Sequence, residues 1–373
     1  MSTITHMLSS RLKNFVLCIL TICILSLHRS AQSQSFEKVS EQFIYETAPF
    51  PSCHASTIVE CTDGSIVSAW FGGTEEKADD VGIWTARFNG KTWSDPIEVA
   101  NGIQFQWSSP EDSTSDVKRL PTWNPVLFQP KKGPLLLFYK CGPSPQTWWG
   151  MMMESHNSGL SWSKPTRLPE GIFGPIKNKP VELADGTILC PTSNETDDTD
   201  EWTVHMEWTK DLGKTWTRTR PLNDPKSFGA IQPSILFLGD DKLLALGRSR
   251  QGKIFQIESN NLGRTWGEMS LIELPNPNSG TDAVTLKDGR HLLIYNHVTK
   301  QSAEWGGRRS PLNLAISNDA KSWSPVMELE NEPQKEFSYP AIIQTEDGRI
   351  HITYTWKRLK IKHVILNLKP TAP

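Results

Sequence analysis

Residues 51–73 read PSCHASTIVECTDGSIVSAWFGG. A polar doorway at His54 opens onto an apolar run, an Asp63-Gly64 turn, a second apolar run and two glycines. Two apolar runs divided by Asp-Gly are the signature of a β-hairpin, because glycine takes the positive φ that the tight turn requires. The pattern returns as WNPVLFQPKKGPLLLFYKCG (123–142), NKPVELADGTILCPTSNE (178–195), IQPSILFLGDDKLLALGRSR (231–250), GTDAVTLKDGRHLLIYNH (280–297) and YPAIIQTEDGRIHITYTW (339–356). The doorway residues His54, Asn124, Lys179, Gln232, Asp282 and Tyr339 therefore stand 50 to 70 residues apart. Two more short strands, 81–88 and 97–100, follow the first copy and complete an antiparallel sheet of four. A repeat of that length and content predicts a β-propeller.

The two ends of the repeat array predict how the ring closes. Residues 36–46 form a lone strand with no partner beside it in sequence, and after Thr355 only one further strand, 361–368, remains. The sixth sheet thus has three strands of its own and takes its fourth from the N-terminal strand, leaving no open edge. Residues 36–373 are expected to be a single all-β domain, a six-bladed propeller of four-stranded antiparallel blades. Upstream, Arg11 and Lys13 precede the apolar run 15–27, and small residues Ala31 and Ser33 follow. That order predicts a signal peptide over residues 1–33 and a secreted or periplasmic protein, since the run is shorter than the roughly 20 residues that span a bilayer. Cys53, Cys61, Cys141 and Cys190 then remain, either paired or as buried thiols; their spacing matches no zinc site.

A second signature lies between the hairpins. Ser155-His-Asn157-Ser-Gly159-Leu-Ser161-Trp162, Thr209-Lys-Asp211-Leu-Gly213-Lys-Thr215-Trp216 and Ser259-Asn-Asn261-Leu-Gly263-Arg-Thr265-Trp266 resemble the Asp-box of the sialidase superfamily, with worn versions at 89–93 and 317–323. The box is a structural device: Asp or Asn closes a turn onto backbone, and Trp packs between sheets. The resemblance covers nearly all of residues 36–373 and implies six blades and a carbohydrate site.

Composition agrees. A net charge of −2 and the absence of a basic run exclude a nucleic-acid binder or an anionic-membrane binder, and 15 Trp supply faces on which sugars stack. A glycan is the expected partner; no cofactor or metal is expected, and the chain reads as a monomer with no membrane contact beyond the export signal. The acidic run 195–201 lacks the turn glycine of a calcium loop.

If each blade runs up, down, up, down, the doorways share one face with the loops 72–80, 140–149, 193–202, 247–253 and 296–311. That face holds the candidate substrate-binding residues: Arg248 and Arg309 first, then Arg250, Arg308, Gln232, Asp282, Asn124 and Lys179. Guanidinium groups bind carboxylates through two parallel hydrogen bonds, and sialidases place carboxylate-binding arginines at corresponding points. Trp148 and Trp149 are sugar-stacking candidates at the rim.

Four residues are candidate catalysts. Tyr339 stands where a sialidase carries its tyrosine nucleophile, although the glutamate that serves as its base in that family is here Gln232. Glu76 and Asp80 occupy the loop that holds the family's acid/base aspartate. His54 replaces the arginine of the family's Arg-Ile-Pro signature, and an imidazole there also suits proton abstraction from a uronate. The expected function is an exported sialidase-like glycoside hydrolase acting on an acidic or polar terminal sugar. A lyase with His54 as base and a propeller that binds carbohydrate without turnover are the alternatives; His297 is a second histidine of that face.

Overall fold

A computed structural model of the protein describes residues 36–108, 115–196, 201–300 and 307–368. The expected export segment, residues 1–33, lies outside them, as does the middle of the acidic run at 197–200. Six four-stranded antiparallel sheets are present, each with an innermost strand nearest the axis: Ser52–Glu60, Thr122–Phe128, Val181–Glu182, Ala230–Phe237, Asp282–Thr285 and Phe337–Gln344. The sixth sheet runs from Phe337–Gln344 through Ile350–Trp356 and Lys360–Leu368 to the N-terminal strand Phe36–Phe43, which pairs antiparallel with Lys360–Leu368 from Phe36↔Leu368 to Phe43↔Lys362. The ring closes as expected. The segment between the first and second blades carries a two-stranded hairpin, Ile103–Ser108 with Ser115–Arg119.

Apolar residues alternate along the strands because each blade is sandwiched between two others, and every interface between neighbouring blades has its own cluster. Val67, Leu127 and Leu137 fill the first; Phe138, Met152 and Ile188 the second; Val204, Ala245 and Phe255 the third; Leu246, Leu293 and Tyr295 the fourth; Ile294, Ile352 and Val364 the fifth; Ile58, Ile343 and Ile365 the joint between last and first.

The boxes seal these clusters from one face. In the box at 209–216, the Asp211 carboxylate accepts from the Thr215 amide (2.8 Å) and hydroxyl (2.6 Å), while the Trp216 indole donates to the Gly213 carbonyl at 2.8 Å. Gly213 has φ +91°, a value L side chains rarely adopt. Each box tryptophan packs on the cluster between its own blade and the one before: Trp93, Trp162, Trp216, Trp266 and Trp323. Among the described residues Cys53, Cys61, Cys141 and Cys190 are buried free thiols.

Candidate active site

The opposite face carries a cleft at the propeller axis. Four innermost strands enter it through the same irregularity. In each, one residue too many is inserted against the neighbouring strand, between His54 and Thr57, Trp123 and Val126, Ile231 and Ser234, and Ser338 and Ala341. The bulge residues Ala55, Asn124, Gln232 and Tyr339 all have positive φ, 57°, 40°, 56° and 48°. A bulge re-aims its side chain, and Pro125, Pro233 and Pro340 follow three of them at positions where no ladder amide is needed. The register corrects one expectation: Ala55, not His54, is the counterpart of Asn124, Gln232 and Tyr339, and His54 stands one residue earlier.

The cleft holds about 260 Å³ and is bounded by His54, Glu76, Asn124, Gln232, Tyr339 and three arginines, Arg248, Arg309 and Arg358. Arg248 comes from the second strand of the fourth blade, Arg309 from the loop before the third strand of the fifth, and Arg358 from the hairpin between the second and third strands of the sixth. Arg248 Nη1 donates to Tyr339 Oη at 3.1 Å, and both Arg248 and Arg309 lie 5.7 Å from the centre of the Tyr339 ring. Glu336 ties the other two together, accepting from Arg309 Nη1 and Arg358 Nε at 2.9 Å each and from Ser338 Oγ at 2.7 Å. Burial works against the Glu336 charge, but the two guanidinium groups outweigh it and hold the carboxyl below its ordinary range. Arg358 Nη1 also donates to Glu76 at 2.6 Å. The cleft is thus a cationic socket in which Glu336 and Glu76 are tied to arginines, and Glu195 lines it as well.

Tyr339 Oη has a second neighbour, Gln232 Nε2, at 3.5 Å. Gln232 Oε1 is buried without a partner, and a half-turn of the amide would let it accept from the phenol. Beneath the Tyr339 ring lies His54, 4.1 Å between ring centres and 1% exposed, with Nδ1 3.0 Å from Thr355 Oγ1 and 3.9 Å from Glu336. Burial, then the charges of Arg358, Arg309, Arg248 and Lys177, push its pKa well down, so the imidazole is neutral. Lys177, at φ +72°, is equally buried and donates to the carbonyls of Thr281 (2.6 Å) and Pro340 (2.5 Å); burial pulls its ammonium down to about 7.

Several expected site residues lie elsewhere. Lys179 and Asp282 pair with each other across the axis at 2.8 Å, and Asp282 also accepts from Ser234 Oγ and the Ile342 amide. They brace the ring and do not line the cleft, because the innermost strands of the third and fifth blades are short and meet the axis in a different register. Asp80 folds back onto its own loop, accepting from the Thr74 amide at 2.9 Å and hydroxyl at 2.8 Å. Arg250 stacks on Trp202 at 4.4 Å, and Arg308 lines a separate pocket with His297.

Residues 64–352 match the BNR repeat-like domain family. The chain belongs to that family. This BNR repeat-like propeller is 23% identical over 240 residues to a sialidase of Bacteroides fragilis, a stretch that is 58% of this chain and 42% of that one, so it spans under half of its curated relative. Among solved structures it resembles a Dyadobacter fermentans protein of unknown function (TM-score 0.71, 18% identity, 90% of this chain and 99% of that one). It also resembles the NanB sialidase of Streptococcus pneumoniae (0.67, 15%, 88% and 71%) and the intramolecular trans-sialidase of Ruminococcus gnavus in complex with oseltamivir carboxylate (0.66, 16%, 89% and 99%). The fold is that of the sialidase superfamily.

Two residues of the site escape a reading of the sequence. Arg358 sits in a Lys357-Arg358 turn, both at positive φ, which looks like any exposed basic turn. Lys177 lies in a segment with no motif, and only the mutual placement of blades three and six brings its ammonium to 5.9 Å from the Tyr339 ring.

Proposed function

We propose that the protein is an exported glycoside hydrolase that removes a carboxylated sugar from the end of a glycan. The observation that carries this reading is the convergence of Arg248, Arg309 and Arg358 on one small cleft around Tyr339. Guanidinium forks match a carboxylate in shape and charge, and a 260 Å³ space suits one sugar ring. The apolar run at 15–27 supports export.

In this reading the sugar carboxylate sits among the arginines with its anomeric carbon over Tyr339. The glycosidic C–O bond breaks as Tyr339 Oη bonds to the anomeric carbon, and water in the cleft relays the phenolic proton to the departing oxygen, since neither neighbour of Oη is a base. A second water then attacks the anomeric carbon and its proton passes to Tyr339 Oη as the bond to tyrosine breaks, while Glu76, a carboxylate paired with Arg358, orients that water. Arg248 remains hydrogen-bonded to the oxygen on which charge develops.

A second reading rests on His54. A neutral imidazole packed against Tyr339, with arginines to hold a uronate carboxylate, fits proton abstraction beside that carboxylate and β-elimination of the glycosidic oxygen. The two separate on their products. Incubated with acidic oligosaccharides, the hydrolase yields saturated sugars and loses activity in Tyr339→Phe; the lyase yields an unsaturated uronate and loses activity in His54→Ala. Intact glycans throughout, with binding retained, would leave a carbohydrate-binding propeller and overturn both.

A further inference from the structure

The innermost strands of the third and fifth blades are short, Val181–Glu182 and Asp282–Thr285, and residues just before them serve the axis rather than a sheet. Lys177 and Asn178, adjacent and both buried, reach three other blades. Lys177 Nζ donates to the Thr281 carbonyl of the fifth blade at 2.6 Å and to the Pro340 carbonyl of the sixth at 2.5 Å. Asn178 Nδ2 donates to the Gln232 carbonyl of the fourth at 2.8 Å. Two of these acceptors belong to the bulges that aim side chains into the cleft, since Gln232 is a bulge residue and Pro340 directly follows Tyr339. A residue with a side chain persists at positive φ only where its surroundings over-determine it. Around Tyr339, at φ +48°, those surroundings include Lys177, whose Nζ lies 5.9 Å from the ring centre. Both side chains close on Gly280, where a Cβ would lie 3.2 Å from Tyr339 Cδ2 and 3.3 Å from Lys177 Cε.

We propose that Lys177-Asn178 is a strut across the propeller axis that sets the placement of Tyr339 against Gln232, with Lys177 the positioning residue for the tyrosine. Its part in catalysis rests on the hydrolase reading, in which Tyr339 Oη attacks the anomeric carbon. The strut bonds to backbone carbonyls of the tyrosine and glutamine bulges, whereas Arg309 and Arg358 are held separately by Glu336. A change in the strut therefore displaces the nucleophile and leaves those two carboxylate-binding groups standing. Misplacing a reacting atom by about 1 Å is enough to cost about 100-fold in rate. The strut also accounts for the shortness of the third blade's innermost strand: the residues that would extend it towards the cleft are spent on bonds to blades four, five and six.

The test compares the unmutated protein with Lys177→Met and Gly280→Ala on the 4-methylumbelliferyl glycosides of N-acetylneuraminic and glucuronic acid. The first variant removes the donor and keeps an apolar stem; the second presses a methyl between Lys177 and Tyr339 with every donor retained. For the acid that is turned over, kcat should fall about tenfold or more in Lys177→Met and about threefold or more in Gly280→Ala, while KM and the calorimetric affinity for the free acid sugar stay within about threefold. An unchanged kcat in Lys177→Met, or a loss carried by KM, would overturn the strut. Should Lys177→Met not fold, Gly280→Ala carries the same decision. If the unmutated protein cleaves neither glycoside, the hydrolase reading fails by itself, and crystal structures of the variants decide the strut. Tyr339 Oη and Gln232 Nε2, 3.5 Å apart in the unmutated protein, should shift relative to each other by about 1 Å; a superimposable cleft refutes it.

Discussion

At the scale of single residues, the site works by distribution of charge. Three guanidinium groups reach the cleft from three blades, and Glu336 holds two of them in place without occupying the socket. The Arg358 pairs with Glu336 and Glu76 are part-buried, so Arg358→Ala should lower kcat/KM by about tenfold or more, chiefly through KM. Arg358→Lys should recover only part of this, because an ammonium lacks the planar fork. Steady-state kinetics with calorimetry of the free acid sugar checks both; unchanged affinity for the acid in Arg358→Ala would remove that arginine from the socket. Arg248, Arg309 and Tyr339 were legible in the sequence because each follows or opens a recognisable strand. Arg358 was not, since a three-residue hairpin turn carries no mark of where its blade sits in the ring. The histidine doorway was read one position off because a bulge leaves no trace in an apolar pattern.

At the scale of the element, the blades were legible because hairpin and box repeat in phase. What the repeat hides is strand length at the axis: Val181–Glu182 is two residues long and Ala230–Phe237 eight. That difference turns Lys179 and Asp282 from expected ligands into a brace. The boxes give a pH prediction. Hydrogen bonds from Thr215 hold Asp211 down at about 2, and backbone amides do the same for Asp319. A carboxyl depressed below its unfolded value of about 3.9 stabilises the fold above that pH and loses the contribution as pH falls towards 2. Asn157 and Asn261 close the same turn in sister boxes, so Asp211→Asn should fold normally and show a shallower loss of Tm between pH 4 and 2 than the unmutated chain. Identical slopes would mean that the ionised form of Asp211 adds nothing.

At the scale of the molecule, closure is the property on which the site depends, because residues from the first and last blades share the cleft. His54 packs on Tyr339 and bonds Thr355, while Glu76 bonds Arg358. The strand Phe36–Phe43 covers the last sheet, and Phe43 packs edge-on to Trp356 at 5.0 Å. Deleting residues 36–43 should lower Tm by about 10 °C or more and promote association through the bared edge; calorimetry and light scattering check this, and an unchanged association state with equal Tm would refute it. The central claim, hydrolysis of an acidic terminal sugar held by three arginines, is met most directly by the mass of the product formed in ¹⁸O-labelled water. Hydrolysis yields a saturated acid sugar carrying one ¹⁸O, absent with Tyr339→Phe; an unlabelled, unsaturated uronate would contradict it.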